Sequence, residues 1–417
     1  MKNKIEICLI ILLIAAIFSC DTNSNPVETP EFDDDIILHT EWPFPVGVAV
    51  PGARTNNAGM SSSQANALNS SNPQYNLLKH FNVVVAENEM KPYAVLPASS
   101  GGSYNWTDSD KLVEYAKANN KKIRGHCLFW HDQTPSWFFS GNITQLYTNM
   151  ENHAKAIFQK YKGDIEYWDV VNEAIDHDKA GPRADSGYTK IMEAAGKTGN
   201  DRYEYILKAF QWARQYADEN GGTNVKLYLT DFGVERPFDR TDGTSKQESF
   251  KVLVEWLIEK DAPIDGVGFQ GHFRLYDHPV DKNKCLSCTD KSKCKHDISS
   301  GIDLFSEIKK KNGKNIKVQI CELDISIFSN AKGEAESRTV SGGVLNERLK
   351  DLAQTYRDYF DMFKVKYNAG KLDMVVLWGV ADGHSWLNDH PVKGRTDHPL
   401  LFNRNYKGKE AYSKLVN

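Results

Sequence analysis

Chemistry is easiest to see in this sequence at two glutamates. Glu173 lies in "WDVVNEAID" (Trp168–Asp176) and Glu322 in "VQICELDIS" (Val318–Ser326). Both runs are apolar enough to be buried strands, and an unpaired charge buried there is costly. Two carboxyls facing each other across a cleft can cleave a glycosidic bond. One protonates the leaving oxygen, and the other attacks the anomeric carbon or activates a water. Taken singly, Glu173 reads equally well as half of a structural ion pair, and a bare "NE" dipeptide has almost no specificity.

The elements that must carry these groups recur along the chain. Short β-rich runs begin at Pro45, Asn82, Lys122, Ile165, Val225, Gly266, Val318 and Met374. Amphipathic stretches separate them, among them "DKLVEYAKANN" from Asp110 and "DRYEYILKAFQWARQYADENGG" from Asp201, which ends in glycines as helices often do. Eight apolar strands alternating with helices favour a single (β/α)8 barrel, although a doubly wound open sheet has the same periodicity. The polar residues at the run ends weigh further. Glu87 and Asn88, His126 and Trp130, Asn172 and Glu173, Asp231, Gln270 and His272, Glu322 and Asp324, and Trp378 all fall there. A barrel brings such ends to one rim, where active sites form, and strands four and seven lie on opposite sides of it.

Six segments, in order, resemble family 10 of the glycoside hydrolases, the endo-β-1,4-xylanases. They are "FNVVVAENEMK", "RGHCLFWHDQTPSWF", "WDVVNEAID", "GVGFQGHF", "ICELDI" and "WGVADGHSWL", and the likeness runs from about Phe44 to the C-terminus. The resemblance implies retention through a covalent glycosyl-enzyme, with the carboxyls about 5–5.5 Å apart. It makes Glu173 the acid/base and Glu322 the nucleophile. Asn172 would bond the sugar's 2-hydroxyl, and His272 would bond the nucleophile with Asp324 holding its imidazole. Gln270, His126, Trp130 and Trp378 would enclose the same sugar. Glu87, Asn88, Lys91 and Gln133 would contact the next one, where Trp386 favours xylose over glucose. No metal or organic cofactor is implied, and the partner would be xylan or xylo-oligosaccharides. A β-1,4-glucanase or mixed-specificity β-glycanase on the same site, or a non-catalytic glycan-binding surface lipoprotein, are the competing functions. The complete catalytic set argues against an inactive scaffold. After strand five the family often reads Asn-Asp-Tyr, whereas here "TDFG" (Thr230–Gly233) loses the phenol and a side chain on the leaving-group side.

The whole chain of 417 residues suits one large domain, and a net charge of −4 gives no nucleic-acid footprint. A monomer is expected. Lys2 and Lys4, an apolar run from Ile7 to Phe18, then Ser19 and Cys20 read as a lipoprotein-type signal peptide over 1–20. An ordinary secretory signal or a hydrophobic anchor is the alternative. Residues 21–35 are polar, acidic and proline-containing, a flexible tether that would hold the catalytic domain, 36–417, off a membrane at the cell surface or in the periplasm. Cys127 and Cys321 flank functional residues, and strand alternation turns them toward the helices. In "KNKCLSCTDKSKCKH", Cys285, Cys288, Cys294 and His296 offer a zinc site or a disulfide with one thiol left over; export favours the disulfide.

Overall fold

The structure is a computed structural model and describes residue 32 and residues 35–52, 66–237, 244–275, 297–328 and 337–417. Eight strands form the frame: β1 Val46–Val50, β2 Val83–Ala86, β3 Lys122–Gly125, β4 Tyr167–Asn172, β5 Lys226–Asp231, β6 Gly266–Phe269, β7 Lys317–Ser326 and β8 Leu372–Leu377. Each pairs in parallel with the next, and β8 pairs back onto β1, so the sheet closes. The open-sheet alternative is thereby excluded. Two expected runs are split: Phe129–Trp130 continues the β3 run beside β4, and His272–Arg274 continues the β6 run beside β7.

Helices cover the outside. Thr107–Ala118 precedes β3, and Glu204–Glu219 precedes β5. The latter stops where Gly221 turns to φ +84° and the Gly222 N–H donates to Ala217 O at 2.7 Å. Glycine adopts that left-handed geometry without a Cβ clash. The main core lies between strands and helices, while a smaller cluster of Ala49, Val83, Val85, Met374, Val376 and Trp378 fills part of the barrel.

Both glutamate-bearing strands carry an irregularity that decides where their side chains go. On β4, Asp169 pairs with Tyr228 but Val171 with Leu229, so β4 has one extra residue. Val170 and Val171 accordingly both join the outer core, and Asn172 returns to the inside. On β7, Ile320 pairs with Val375 but Leu323 with Leu377. Val318, Ile320, Leu323 and Ile325 pack in the outer core. Strict alternation from Val318 would send Glu322 and Asp324 outward too. The extra residue resets the phase and aims them at the barrel interior, as bulges do.

The same bulge corrects the expectation for Cys321. Its thiol does not face the helices. It donates to Phe269 O at 3.2 Å and lies 3.0 Å from where a Cβ on Gly268 would sit, between outward-facing Val267 and Phe269. Cys127 is fully buried in the segment after β3. Neither cysteine lines the cleft, and burial pushes both thiols up, against a nucleophilic role.

Phe32, placed in the tether by the sequence, forms an antiparallel bridge with Gly408. The signal segment with Cys20, and Cys285, Cys288, Cys294 and His296, lie outside the described residues.

Candidate active site

The strand C-termini open into a cleft of about 710 Å³. Every candidate lines it except Asn88 and Asp324, which are fully buried behind it. Asn88 Oδ1 accepts from Lys91 Nζ at 2.9 Å, and Asp324 stands behind His272.

Glu322 lies within the β7 bulge, where it and Cys321 together oppose Val376. His272 Nε2 stands 3.3 Å from its Oε2, and His126 Nδ1 is 4.0 Å from Oε1. The other His272 nitrogen meets Asp324 Oδ1 at 3.0 Å, and Asp324 Oδ2 accepts from Trp386 Nε1 at 2.8 Å. Trp386 also lies edge-on to His272, with ring centroids 4.9 Å apart. Beneath these groups, Arg124 pairs with Asp169, whose same oxygen is 2.8 Å from His126 Nδ1. Arg124 and Asp169 are fully buried. Arg124 NH1 also donates to Cys321 O at 3.2 Å, one residue before the nucleophile candidate.

These neighbours decide the state of Glu322. Burial pushes its carboxyl up, but the His272 hydrogen bond and the charges of His126, His272 and Arg124 outweigh it, and the net shift is down. For His272, burial opposes the charged form, yet Asp324 and Glu322 raise its pKa to about 10. The site therefore holds an anionic Glu322 against a cationic imidazole.

Glu173 has different company. Gln270 Nε2 donates to its Oε1 at 2.9 Å, and Asn172 Nδ2 to the same atom at 3.3 Å. Arg183 NH2 stands off at 3.7 Å from Oε2. The backbone of Glu173 is left-handed, φ +57°, a strained position for a residue with a Cβ. Its N–H donates to Thr230 O at 2.8 Å, and Arg183 Nε donates to its carbonyl at 3.3 Å, which holds the turn. Gln270 ties the two carboxylates together: its carbonyl accepts from the Glu322 N–H at 2.7 Å while its side chain holds Glu173. Thr230 Oγ1 donates to Asn172 Oδ1 at 2.8 Å and so fixes which end of that amide faces out.

On one side of this pair Glu87, Lys91, Trp130 and Gln133 line the cleft. Burial raises Glu87 to about 7, with Lys91 opposing and Glu89 adding to the shift. Lys91 Nζ lies 5.2 Å from the Trp130 ring centroid. Phe232 and Gly233 line the cleft as well. The Phe232 ring has Lys246 Nζ at 3.3 Å from its centroid and His177 at 5.5 Å. Lys246 is buried and paired with Asp231 at 2.7 Å, and Asp231 also accepts from the Ile175 N–H at 3.0 Å. The departure in "TDFG" thus places a cation on an aromatic face.

Sequence reasoning missed Arg124, Asp169, Arg183, Lys246 and His390, which stacks on Trp386 at 4.9 Å. Arg124 and Asp169 had a visible signal, since each is a charge inside an apolar run. Lys246 and His390 had none, because only the closed barrel brings them to the cleft.

The sequence pattern of glycosyl hydrolase family 10 matches residues 52–417. The chain is 37% identical over 361 residues to endo-1,4-beta-xylanase C of Paenibacillus barcinonensis, covering 84% of this chain and 30% of that protein's length. It is 35% identical over 356 residues to a thermostable celloxylanase of Thermoclostridium stercorarium, covering 81% and 79%. Among solved structures, a family 10 enzyme from Paenibacillus barcinonensis superposes with a TM-score of 0.74 at 33% identity, covering 92% of this chain and 97% of that one. A mutant protein in complex with xylotriose superposes at 0.70 and 28% identity, covering 91% and 98%. With a match over nearly the whole described chain, the same fold and every candidate of the resemblance in or directly behind one cleft, this chain belongs to glycosyl hydrolase family 10.

Proposed function

We propose that this chain is a retaining endo-1,4-β-xylanase. The observation that carries the reading is the asymmetry of the two carboxylates: Glu322 sits among His272, His126 and Arg124, and Glu173 among the amides of Asn172 and Gln270. Glu322 attacks the anomeric carbon while Glu173 gives its proton to the departing glycosidic oxygen. The bond from anomeric carbon to leaving oxygen breaks, and an ester to Glu322 forms. Glu173, now a carboxylate, takes a proton from water, which attacks the same carbon and releases Glu322 with net retention. The Asn172 amide faces the 2-hydroxyl, a contact that strengthens as positive charge develops at the ring. Trp386, which lines the cleft and is braced by Asp324 and His390, supplies the bulk that would exclude a hydroxymethyl group and so favour xylose over glucose. The test is product analysis on xylan, arabinoxylan and carboxymethylcellulose side by side. Short xylo-oligosaccharides from the first two support the reading, and faster release from the cellulose derivative replaces it with a glucanase.

We also propose that the protein is exported, anchored through a lipid on Cys20, and monomeric. Support for export and the anchor is the charged start, the apolar run from Ile7 to Phe18 and the Ser19–Cys20 junction, followed by an acidic tether. Lipid mass on Cys20 and partition into detergent, lost in Cys20→Ala, support the anchor. A soluble wild-type protein with a different first residue removes it. A single-chain mass in light scattering supports the monomer, and a dimer mass rejects it.

A further inference from the structure

The molecule has a second concavity as large as the catalytic one. It holds about 780 Å³ and lies at the other end of the barrel. Lys121 immediately precedes β3, and its Nζ donates to Leu78 O at 2.9 Å and Phe81 O at 2.6 Å, just ahead of β2. The groove is therefore at the strand N-termini, away from the rim where Glu173 and Glu322 meet. Its chemistry differs from a core fragment. Tyr75, Tyr115 and Tyr406 give it three half-buried rings, and Asn76, Asn119 and Asn405 give it three exposed amides.

Rings and amides in one groove are what a pyranose chain needs. Ring faces take the C–H faces of the sugar, and amides pair with its hydroxyls as both donors and acceptors. Tyr75 and Tyr115 meet edge to face at 5.5 Å, which fixes their angle before any ligand arrives. Asn119 has its Nδ2 committed to Tyr115 O at 2.8 Å, which leaves its oxygen turned out. Charge narrows the class further. Among the described residues the groove is lined by Lys79, Lys121 and Lys407 and by no carboxylate, so an anionic glycan fits it better than a neutral one.

We propose that this groove is a non-catalytic binding site for xylan bearing uronic-acid side groups. It rests on the reading of the chain as a xylanase. A chain held there cannot be cut there, so the effect is to keep the enzyme on the polymer and raise the local concentration at the catalytic cleft.

The test separates the two sites. The catalytic cleft is first blocked by a covalent 2-fluoro-xylobiosyl ester. The blocked protein is then mixed with insoluble glucuronoxylan at low salt. Retention of the blocked wild type is expected. Retention should fall at least about threefold in Tyr75→Ala/Tyr406→Ala and in the exposed change Lys407→Glu, which keeps the test should the tyrosine variant misfold. Turnover of a soluble aryl xylobioside by the unblocked variants should equal that of the wild type. Loss of retention on blocking alone, or equal retention by wild type and Lys407→Glu, overturns the proposal. Absence of any xylan hydrolysis by the unblocked wild type is a different result, and it rejects the xylanase reading instead.

Discussion

β4 and β7 end in the same way and deliver opposite chemistry. Each gains one residue relative to its neighbour, and each presents a glutamate to the cleft, β7 at that point and β4 just past it. At the β7 bulge the neighbours are a charged imidazole, a second histidine and a buried arginine, which favour a carboxylate. Past the β4 bulge the nearest partners are two neutral amides, which can serve either protonation state. The difference teaches that the backbone device aims a side chain, and the charges behind it assign its role.

The sharpest way to break that comparison is to remove each carboxylate. Glu322→Ala should lower turnover of xylan and of aryl xylosides with activated leaving groups alike, on the order of 10⁴-fold or more. Glu173→Ala should lose comparably on xylan yet keep the first step with activated leaving groups, and azide should restore its second step. The reverse pattern of rescue would exchange the roles.

Removing the charges behind β7 comes next. Asp169→Ala leaves Arg124 buried without its carboxylate and should cost about 3–5 kcal/mol of stability. Denaturant unfolding measures it, and a loss below about 1 kcal/mol would mean that water already satisfies the arginine. Gln270→Ala cuts the link between the strands at its side chain only. It should reduce kcat/KM by about 1–3 kcal/mol, with the fall in kcat. A change confined to KM would make Gln270 a binding residue alone.

Trp386→Ala should narrow the preference for aryl xylobiosides over aryl cellobiosides by about 1–3 kcal/mol in relative kcat/KM. Because Trp386 also braces Asp324, turnover of both substrates should fall together. An unchanged ratio would remove it as the selector.

The smallest effect is on pH. Glu87 is raised from 4.5 to about 7, so its contribution to stability is complete below 4.5 and is lost as the pH rises through 7. His272 is raised from 6.5 to about 10, so its contribution is complete below 6.5 and is lost through 10. Glu322 runs the other way, contributing above 4.5 and losing as the pH falls below it. Glu87→Gln should therefore melt progressively higher relative to the wild type between pH 4.5 and 7. A constant difference across that window would contradict the assignment.

Much of this arrangement could be read from the chain. Period-two apolar runs, polar run ends and six ordered motifs led to the barrel and to the residues on its rim. The bulges could not be read, because an extra residue in a strand leaves no mark on an alternation pattern as short as "VQICELD". That is why alternation alone turns Cys321 outward, whereas in the structure it shares the interior with Arg124. Arg124 and Asp169 were visible as charges in apolar runs, but their pairing spans two strands and shows only in the closed sheet. The leaving-group side was legible only as a departure. That Phe232 would meet Lys246 depends on a helix start fifteen residues downstream of Asp231.

The central claim is that Glu322 forms the covalent bond. Incubation with an activated 2-fluoro-xylobioside, followed by proteolysis and peptide mass mapping, tests it directly. One glycosyl adduct on Glu322, with β-configured products from unmodified substrate, is the predicted result. An adduct on Glu173, or α-configured products with no adduct, would contradict the account.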